Sequence, residues 1–487
     1  MKRNILKIAT LTISIFVFGA CSNAMHDMGD MNMGVPVPVT EGRFTSPLVL
    51  PPTVSSSTTL KAQYVAAKIN DFGDVNGLGY AANGLLGPTI TVENGQNVNV
   101  DFVNQLSENS NIHWHGLKIP ANMDGHPENV VKPGGSFNYN FTVNQRAGMY
   151  WYHPHPDMLT AKQAFQGLAG LFVVNDNEEN ALNLPKASRE IPLVIQDKRI
   201  SSGSISYAPT MLEQMTGLMG QYVLVNGVYA PFHNVETAKY RVRILNGSNA
   251  RIYNLALSNG ASFTLIGNDG GLLATSQQVN NLVIAPGERA DVIIDFSTTS
   301  LNSELYLISK TFDGGSAQGK QEFKIMKFIT TTQVVDNYTV PSALSTIVPL
   351  ANSPSTITRN FNIANVQSHS SMSNMMTHTI NDKMYDVSRI DAQVEKNSIE
   401  IWTFDNTNGK EPHPMHLHGV LFQILSRTGG RSALTPLEKG WKDIALCMPG
   451  EIVKIIVQFN SFTGKYVFHC HNLEHEDSGM MGQFQVN

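Results

Sequence analysis

A Pro-Gly turn followed by a run of β-forming residues recurs three times along the chain, at Pro133-Gly134, Pro286-Gly287 and Pro449-Gly450, at spacings of 153 and 163 residues. The last two copies read Pro-Gly-Glu and lead into Ala290 to Phe296 and Ile452 to Phe459. A unit repeated at that period is one sandwich per copy. The 487-residue length agrees, since about 100 to 200 residues per domain gives three or four domains. Elsewhere short Val/Ile/Thr/aromatic runs, such as Ile90 to Val103, Tyr240 to Leu245 and Ile399 to Phe404, are separated by Gly, Pro and Asn. That texture predicts an all-β chain of Greek-key sandwich or barrel domains, at residues 47–180, 188–340 and 355–487.

The copies are not chemically equal. Twenty residues after the Pro sits His153 in the first copy and His469 in the third, whereas the second has Tyr306, Leu307 and Ile308 around that offset. Chemistry is therefore expected from domains one and three.

Four His-x-His pairs occur: His113/His115, His153/His155, His416/His418 and His469/His471. With 15 His in the chain, random placement would give roughly 0.5 such pairs. On a strand, residues i and i+2 face the same side, about 6.6 Å apart, so both imidazoles of a pair can converge on one metal cluster. Two pairs come from domain one and two from domain three, which puts the cluster where those domains meet. A single histidine is more often a satisfied core or surface group. Eight in matched pairs are not.

Ligand type selects the metal. Imidazole suits Zn, Cu, Fe or Ni, but a His/Cys/His set with a weak Met is characteristic of blue copper. Cys470 lies between His469 and His471, with His475 and Met480 close behind and His413 upstream. A Cys inside a His-x-His must point to the opposite face of its strand, so one strand serves two centres.

The segments His113-Trp-His-Gly116, Trp151-Tyr-His-Pro-His155, His413-Pro-Met-His-Leu-His-Gly419 and His469-Cys-His-Asn-Leu-Glu-His-Glu-Asp-Ser-Gly-Met480 resemble the four copper motifs of the multicopper oxidases. The resemblance spans residues 60–487, including Arg243-Ile-Leu-Asn-Gly-Ser-Asn-Ala-Arg251 and Asp269-Gly-Gly-Leu272 in the middle domain. Within that family it is most similar to bacterial periplasmic copper-efflux (cuprous) oxidases and laccase-like enzymes. It implies three cupredoxin-like domains and four copper ions. Type 1 copper would take His413, Cys470 and His475 with Met480 axial, and type 2 would take His113 and His416. The type 3 pair would use His115, His153 and His471 on one ion and His155, His418 and His469 on the other. The implied activity is one-electron oxidation of a small reductant, four times over, coupled to reduction of O2 to water. Cu(I) or Fe(II) as donor, with a role in copper tolerance or metal homeostasis, stands beside a laccase acting on phenols.

Reduction of O2 to water consumes protons, so a buried cluster needs carboxylates to deliver them. Asp124 and Glu476 match the acidic residues of the related enzymes, against a plain reading as loop-solvating groups. Met372, Met375 and Met376 are thioethers soft enough to select Cu(I), and they form a candidate substrate-metal site flanked by His369 and His378. The family's copper-efflux members carry a much longer Met-rich insertion there, and a linker that happens to hold Met is the alternative. Cys447 has no ligand partner in sequence and reads as a buried or free thiol.

At the N-terminus, Lys2, Arg3 and Lys7, an apolar run to Phe18, and Gly19-Ala20 before Cys21 form an export signal over residues 1–20. Phe-Gly-Ala-Cys resembles a lipobox, which implies lipidation of Cys21 and attachment to the outer membrane in the periplasm; plain cleavage near Ala20 or Ala24 is the alternative. No other membrane association is expected. Residues 21–46, with Met25, His26, Met28, Met31 and Met33 among Gly, Asp, Asn and Pro, read as a flexible tether. Net charge is -5, with no basic surplus to neutralise phosphates, so nucleic acid is not an expected partner. Two functions of other classes account for less of the sequence. A copper-storage protein would explain the Met and His but not the Cys470 motif, and a structural relative that has lost copper should lack ligands.

Overall fold

The computed structural model describes residues 38–81, 84–315, 317–353, 355–367 and 376–487. The export signal, Cys21, most of the tether, Met372 and Met375 lie outside these residues. Among the described residues no helix is long and apolar enough to cross a membrane.

Six sheets pair off into three sandwiches. In the first, a sheet built on Ser57–Ile69, Asn97–Asn104 and Ser136–Thr142 faces one built on Thr89–Glu93, Gly170–Asn175, Gly148–His153 and His113–His115. Strict alternation makes these strands two-faced. Asn97–Asn104 (NVNVDFVN) buries Val98, Val100 and Phe102 completely and turns Asn97, Asn99 and Asp101 away from that core. Those residues meet Ile90, Trp114, Tyr150, Tyr152 and Phe172 of the facing sheet in one core. The second and third sandwiches repeat the scheme around Leu193, Val242, Leu265, Val292 and Phe328, and around Phe361, Trp402, Phe422, Ile455 and Phe484.

The sandwiches exchange edge strands. Ile200–Ser201 and Ser204–Ile205 extend a sheet of the first sandwich, and Ser46–Pro47 pairs in parallel with Pro231–Phe232 of the second. Residues 38–46, read from sequence as the end of a flexible tether, are held down. Val39 and Phe44 are buried, Val39 N donates to Gln321 Oε1 at 2.6 Å, and Tyr229 Oη donates to the Thr40 carbonyl at 2.7 Å. Val39 joins the core of the second sandwich, and Phe44 joins a cluster shared by the first and second.

Candidate metal centres

Alternation on four short strands builds the principal site. In His113–His115 the Trp114 ring packs into the first core against Tyr139, Phe141, Tyr152 and Phe172, which sends both flanking imidazoles to the other face. In Gly148–His153, Tyr150 and Tyr152 occupy the core and His153 faces out. Antiparallel register then sets His113 opposite His153. The third domain mirrors this: Met415 and Leu417 fill its core, and His416 lies opposite His469.

The two sets meet face to face. The rings of His113 and His418 stack at 3.6 Å and those of His115 and His416 at 3.8 Å, each pair bridging domains one and three. His155 Nε2 and His418 Nε2 lie 3.2 and 3.1 Å from His469 Nε2, and His115 Nδ1 lies 3.4 Å from His153 Nε2. All eight imidazoles are buried. Burial, reinforced by neighbouring imidazoles, holds His113, His115, His416, His418 and His471 well below the usual imidazole value. Burial takes His153 to about 4 and His155 to about 3, against an opposing pull from Glu476. These rings are therefore neutral, with lone pairs free, which is the form that binds a metal.

Cys470 takes the other face of its strand. Its Sγ lies 3.5 Å from His413 Nδ1 and 3.7 Å from His475 Nδ1, and those two nitrogens are 3.1 Å apart. Met480 is fully buried beside them, its backbone bonded to Cys470 and His475. His475 sits on the helix Leu473–Asp477, which the other domains grip. Asp477 accepts from Thr160 N and Ala161 N at the start of a first-domain helix, and Glu474 accepts from Asn249 Nδ2 and Leu218 N of the second domain.

The donor set fits copper. Nε2 of His113 and of His416 and both ring nitrogens of His471 are buried without hydrogen-bond partners, a costly state that a bound cation would relieve. Groups of three donors with all ligand atoms within 4.8 Å of one another are His113/His115/His153, His113/His416/His418, His155/His418/His469, His115/His416/Asp443 and His413/Cys470/His475. Soft thiolate with imidazole is a copper-selective set, and imidazole alone suits the cluster. Among the described residues no such group draws on the second domain.

Two carboxylates named from sequence touch the cluster. Asp124 Oδ2 is 2.7 Å from His418 Nδ1, while the Asp124 carbonyl accepts from His113 Nδ1 at 2.7 Å; burial raises this carboxyl well above its usual range. Glu476 Oε2 is 3.0 Å from His469 Nδ1 and its Oε1 3.5 Å from His155 Nδ1. Burial pushes Glu476 up, but the imidazoles of His155 and His469 outweigh it and hold the carboxyl below its usual range.

Three residues at the centres carried no site assignment in the sequence. Asp443 Oδ1 is 3.2 Å from His115 Nε2, and Arg289 pairs with Asp443. His378, read only as a flank of the Met-rich segment, stacks on His475 at 4.0 Å and 19°. Met376 begins the strand Met376–Ile380 that carries His378. Cys447 is fully buried on the strand beside His413, and burial raises its thiol to about 12.

Models of the multicopper oxidase family match residues 64–179, 194–339 and 354–487. A multicopper oxidase of Staphylococcus epidermidis is 37% identical over 432 residues, covering 88% of this chain and 88% of the relative. A laccase of Bacillus subtilis is 32% identical, covering 83% of this chain and 89% of that protein. The crystal structure of the McoA multicopper oxidase of Aquifex aeolicus superposes with a TM-score of 0.82 at 34% identity, covering 92% of this chain and all of that one (100%).

Proposed function

The chain belongs to the multicopper oxidase family, oxidoreductases that hold four copper ions and use O2 with a small reductant, and on that premise we propose that its own donor is a metal ion, Cu(I) or Fe(II), in the service of copper tolerance or metal homeostasis. In this reading His413, Cys470, His475 and Met480 would hold type 1 copper, and His113 and His416 would hold type 2. His115, His153 and His471 would hold one type 3 ion and His155, His418 and His469 the other. Copper held there would supply single-electron transfer and O2 reduction. The chain does the rest. Cys470 is covalently continuous with His469 and His471, which gives electrons a short bonded route. Glu476 and Asp124 hand protons to groups touching His155, His469 and His418.

The observation that carries the choice of donor is the closure of His475. Its ring is fully buried, its Nε2 donates to the Met215 carbonyl at 2.9 Å, and His378, itself 1% exposed, covers a face. An organic donor passing its electron through His475 would need an open edge of that ring, and the Met215 carbonyl and the His378 ring cover it. A soft cation needs only a few thioethers nearby. The helix Met211–Thr216, whose residue 215 caps His475, carries Met211 and Met215 one turn apart, and Met211 is 55% exposed. Met372, Met375 and Met376 lead into the strand that carries His378, and they are the second thioether source in this reading. The N-terminal pattern ending at Cys21 supports a further part of the proposal: export to the periplasm with a lipid anchor at the outer membrane.

Laccase action on phenols is the competing reading, favoured by the likeness to the Bacillus subtilis laccase. Steady-state kcat/KM for Cu(I), Fe(II) and a methoxyphenol, measured side by side, separates the two. The metal-ion reading expects a metal ion to exceed the phenol by at least about tenfold, a difference of about 1.4 kcal/mol. It also expects the double variant Met211→Ser, Met215→Ser to raise KM for Cu(I) alone. A phenol oxidised as well as or better than both ions overturns it.

A further inference from the structure

We propose that Arg289, in the domain that carries no copper ligand, is a positioning residue for the trinuclear site: it clamps the Asp443 carboxylate against His115 and thereby orients a ligand supplied by another domain. Arg289 is 1% exposed, and each of its five N–H donors has an acceptor. Nε donates to the Met149 carbonyl at 3.0 Å in the first domain. Nη1 donates to the Gly287 carbonyl at 3.0 Å and to Asp443 Oδ1 at 2.7 Å, and Nη2 donates to the Asp269 carbonyl at 2.9 Å and to Asp443 Oδ2. One guanidinium thus touches all three domains, with its bidentate fork on Asp443.

Asp443 passes that constraint to the ligands. Its Oδ1 is 3.2 Å from His115 Nε2, which leaves His115 Nδ1 to face His153, and its carbonyl accepts from His416 Nδ1 at 2.8 Å, which leaves His416 Nε2 free. A histidine of domain one and a histidine of domain three are therefore set by one residue, and their rings lie stacked at 9°. A carboxylate on the far nitrogen fixes the tautomer and raises the basicity of a metal-bound imidazole. The surroundings leave no slack. Gly116 has φ +84, and a Cβ there would collide with Asp443 and approach Arg289 Nη2 to 2.9 Å. Asp269 accepts from Arg289 N at 2.8 Å and pairs with Lys442 at 2.7 Å, the residue that precedes Asp443. Lysine, with three donors on a point charge, cannot reproduce this planar fork.

A strut that merely docks domains would use the same bonds, so the test reads the copper itself. The inference rests on His115 and His416 being copper ligands, and four coppers per parent chain, measured first, separates failure of that reading from failure of this one. Arg289→Lys, Arg289→Met and Asp443→Asn are then loaded with copper and titrated with a chelator. Type 1 copper, held wholly within the third domain, serves as the internal reference. The expected result is retention of trinuclear copper weakened by about 10- to 100-fold, with a changed type 2 EPR hyperfine splitting and an unchanged blue band. Should Arg289→Met not fold, Arg289→Lys, which keeps the charge, decides the matter. The proposal falls if the folded variants hold the three coppers as tightly as the parent with the same type 2 spectrum. It falls equally if type 1 and trinuclear copper are lost together, since that marks a docking strut.

Discussion

Replacing Glu476 with Gln separates the two half-reactions of the enzyme. The carboxylate is 2% exposed and meets His469 Nδ1 at 3.0 Å and His155 Nδ1 at 3.5 Å, both on the side chains of one ligand trio. Its contacts with those two imidazoles hold it below its usual range, so it rests as a carboxylate placed to take up a proton and pass it on. The amide keeps the shape but cannot titrate, and its NH2 must face one of the two imidazole nitrogens. The structural cost is that of a charge-assisted contact, about 1.5 to 3 kcal/mol. The kinetic cost of losing a positioned proton carrier is about 10²- to 10⁴-fold in the step it serves, or about 3 to 5 kcal/mol of barrier. Only the oxygen half-reaction consumes protons. Stopped-flow reduction of the blue band without oxygen should therefore run at the parent rate, while reoxidation by O2 slows by that factor and gains a solvent-deuterium effect. Reoxidation at the parent rate would refute the relay and pass the role to Asp124, which sits 2.7 Å from His418 Nδ1. Equal slowing of both halves would mark Glu476 as structural.

Acid should destabilise the copper-free protein between about pH 6.5 and pH 4. Burial holds His153 at about 4 and His413 at about 3 in the fold, so in that window the unfolded chain binds protons that the folded chain cannot. This contribution is fully present above pH 6.5 and is lost as pH falls; a shift from 6.5 to about 4 is worth roughly 3 kcal/mol for a single group. A calorimetric midpoint that stays flat from pH 7 to pH 4.5 would contradict the burial argument. Separately, if Cys21 is lipidated, Cys21→Ala should move the mature protein from the membrane to the soluble fraction, because acyl chains would supply the attachment; identical partitioning of both forms would leave export without an anchor.

The gathering of the eight paired histidines was legible because strand geometry is local. His-x-His places two imidazoles on one face whatever the rest of the chain does, and a Cys between two His must turn to the other face. The repeat of Pro-Gly and strand likewise announced three sandwiches, since each copy has to bury its own apolar face. Short-range patterning said less about residues 38–46, where Val39 closes a Val-Pro alternation and Phe44 is a single apolar residue among polar ones. It could not identify Arg289, Asp443 or the stacking of His378 on His475. Arg289 lies 154 residues from Asp443, and Asp443 lies 328 from His115, so no period or motif spacing connects them. Their pairing exists only because three cores dock at one angle, which buries an arginine and an aspartate together. A buried charge persists only where the docked partner satisfies it, and so the ligand types belong to the sequence while the groups that hold the ligands in place belong to the domain interfaces.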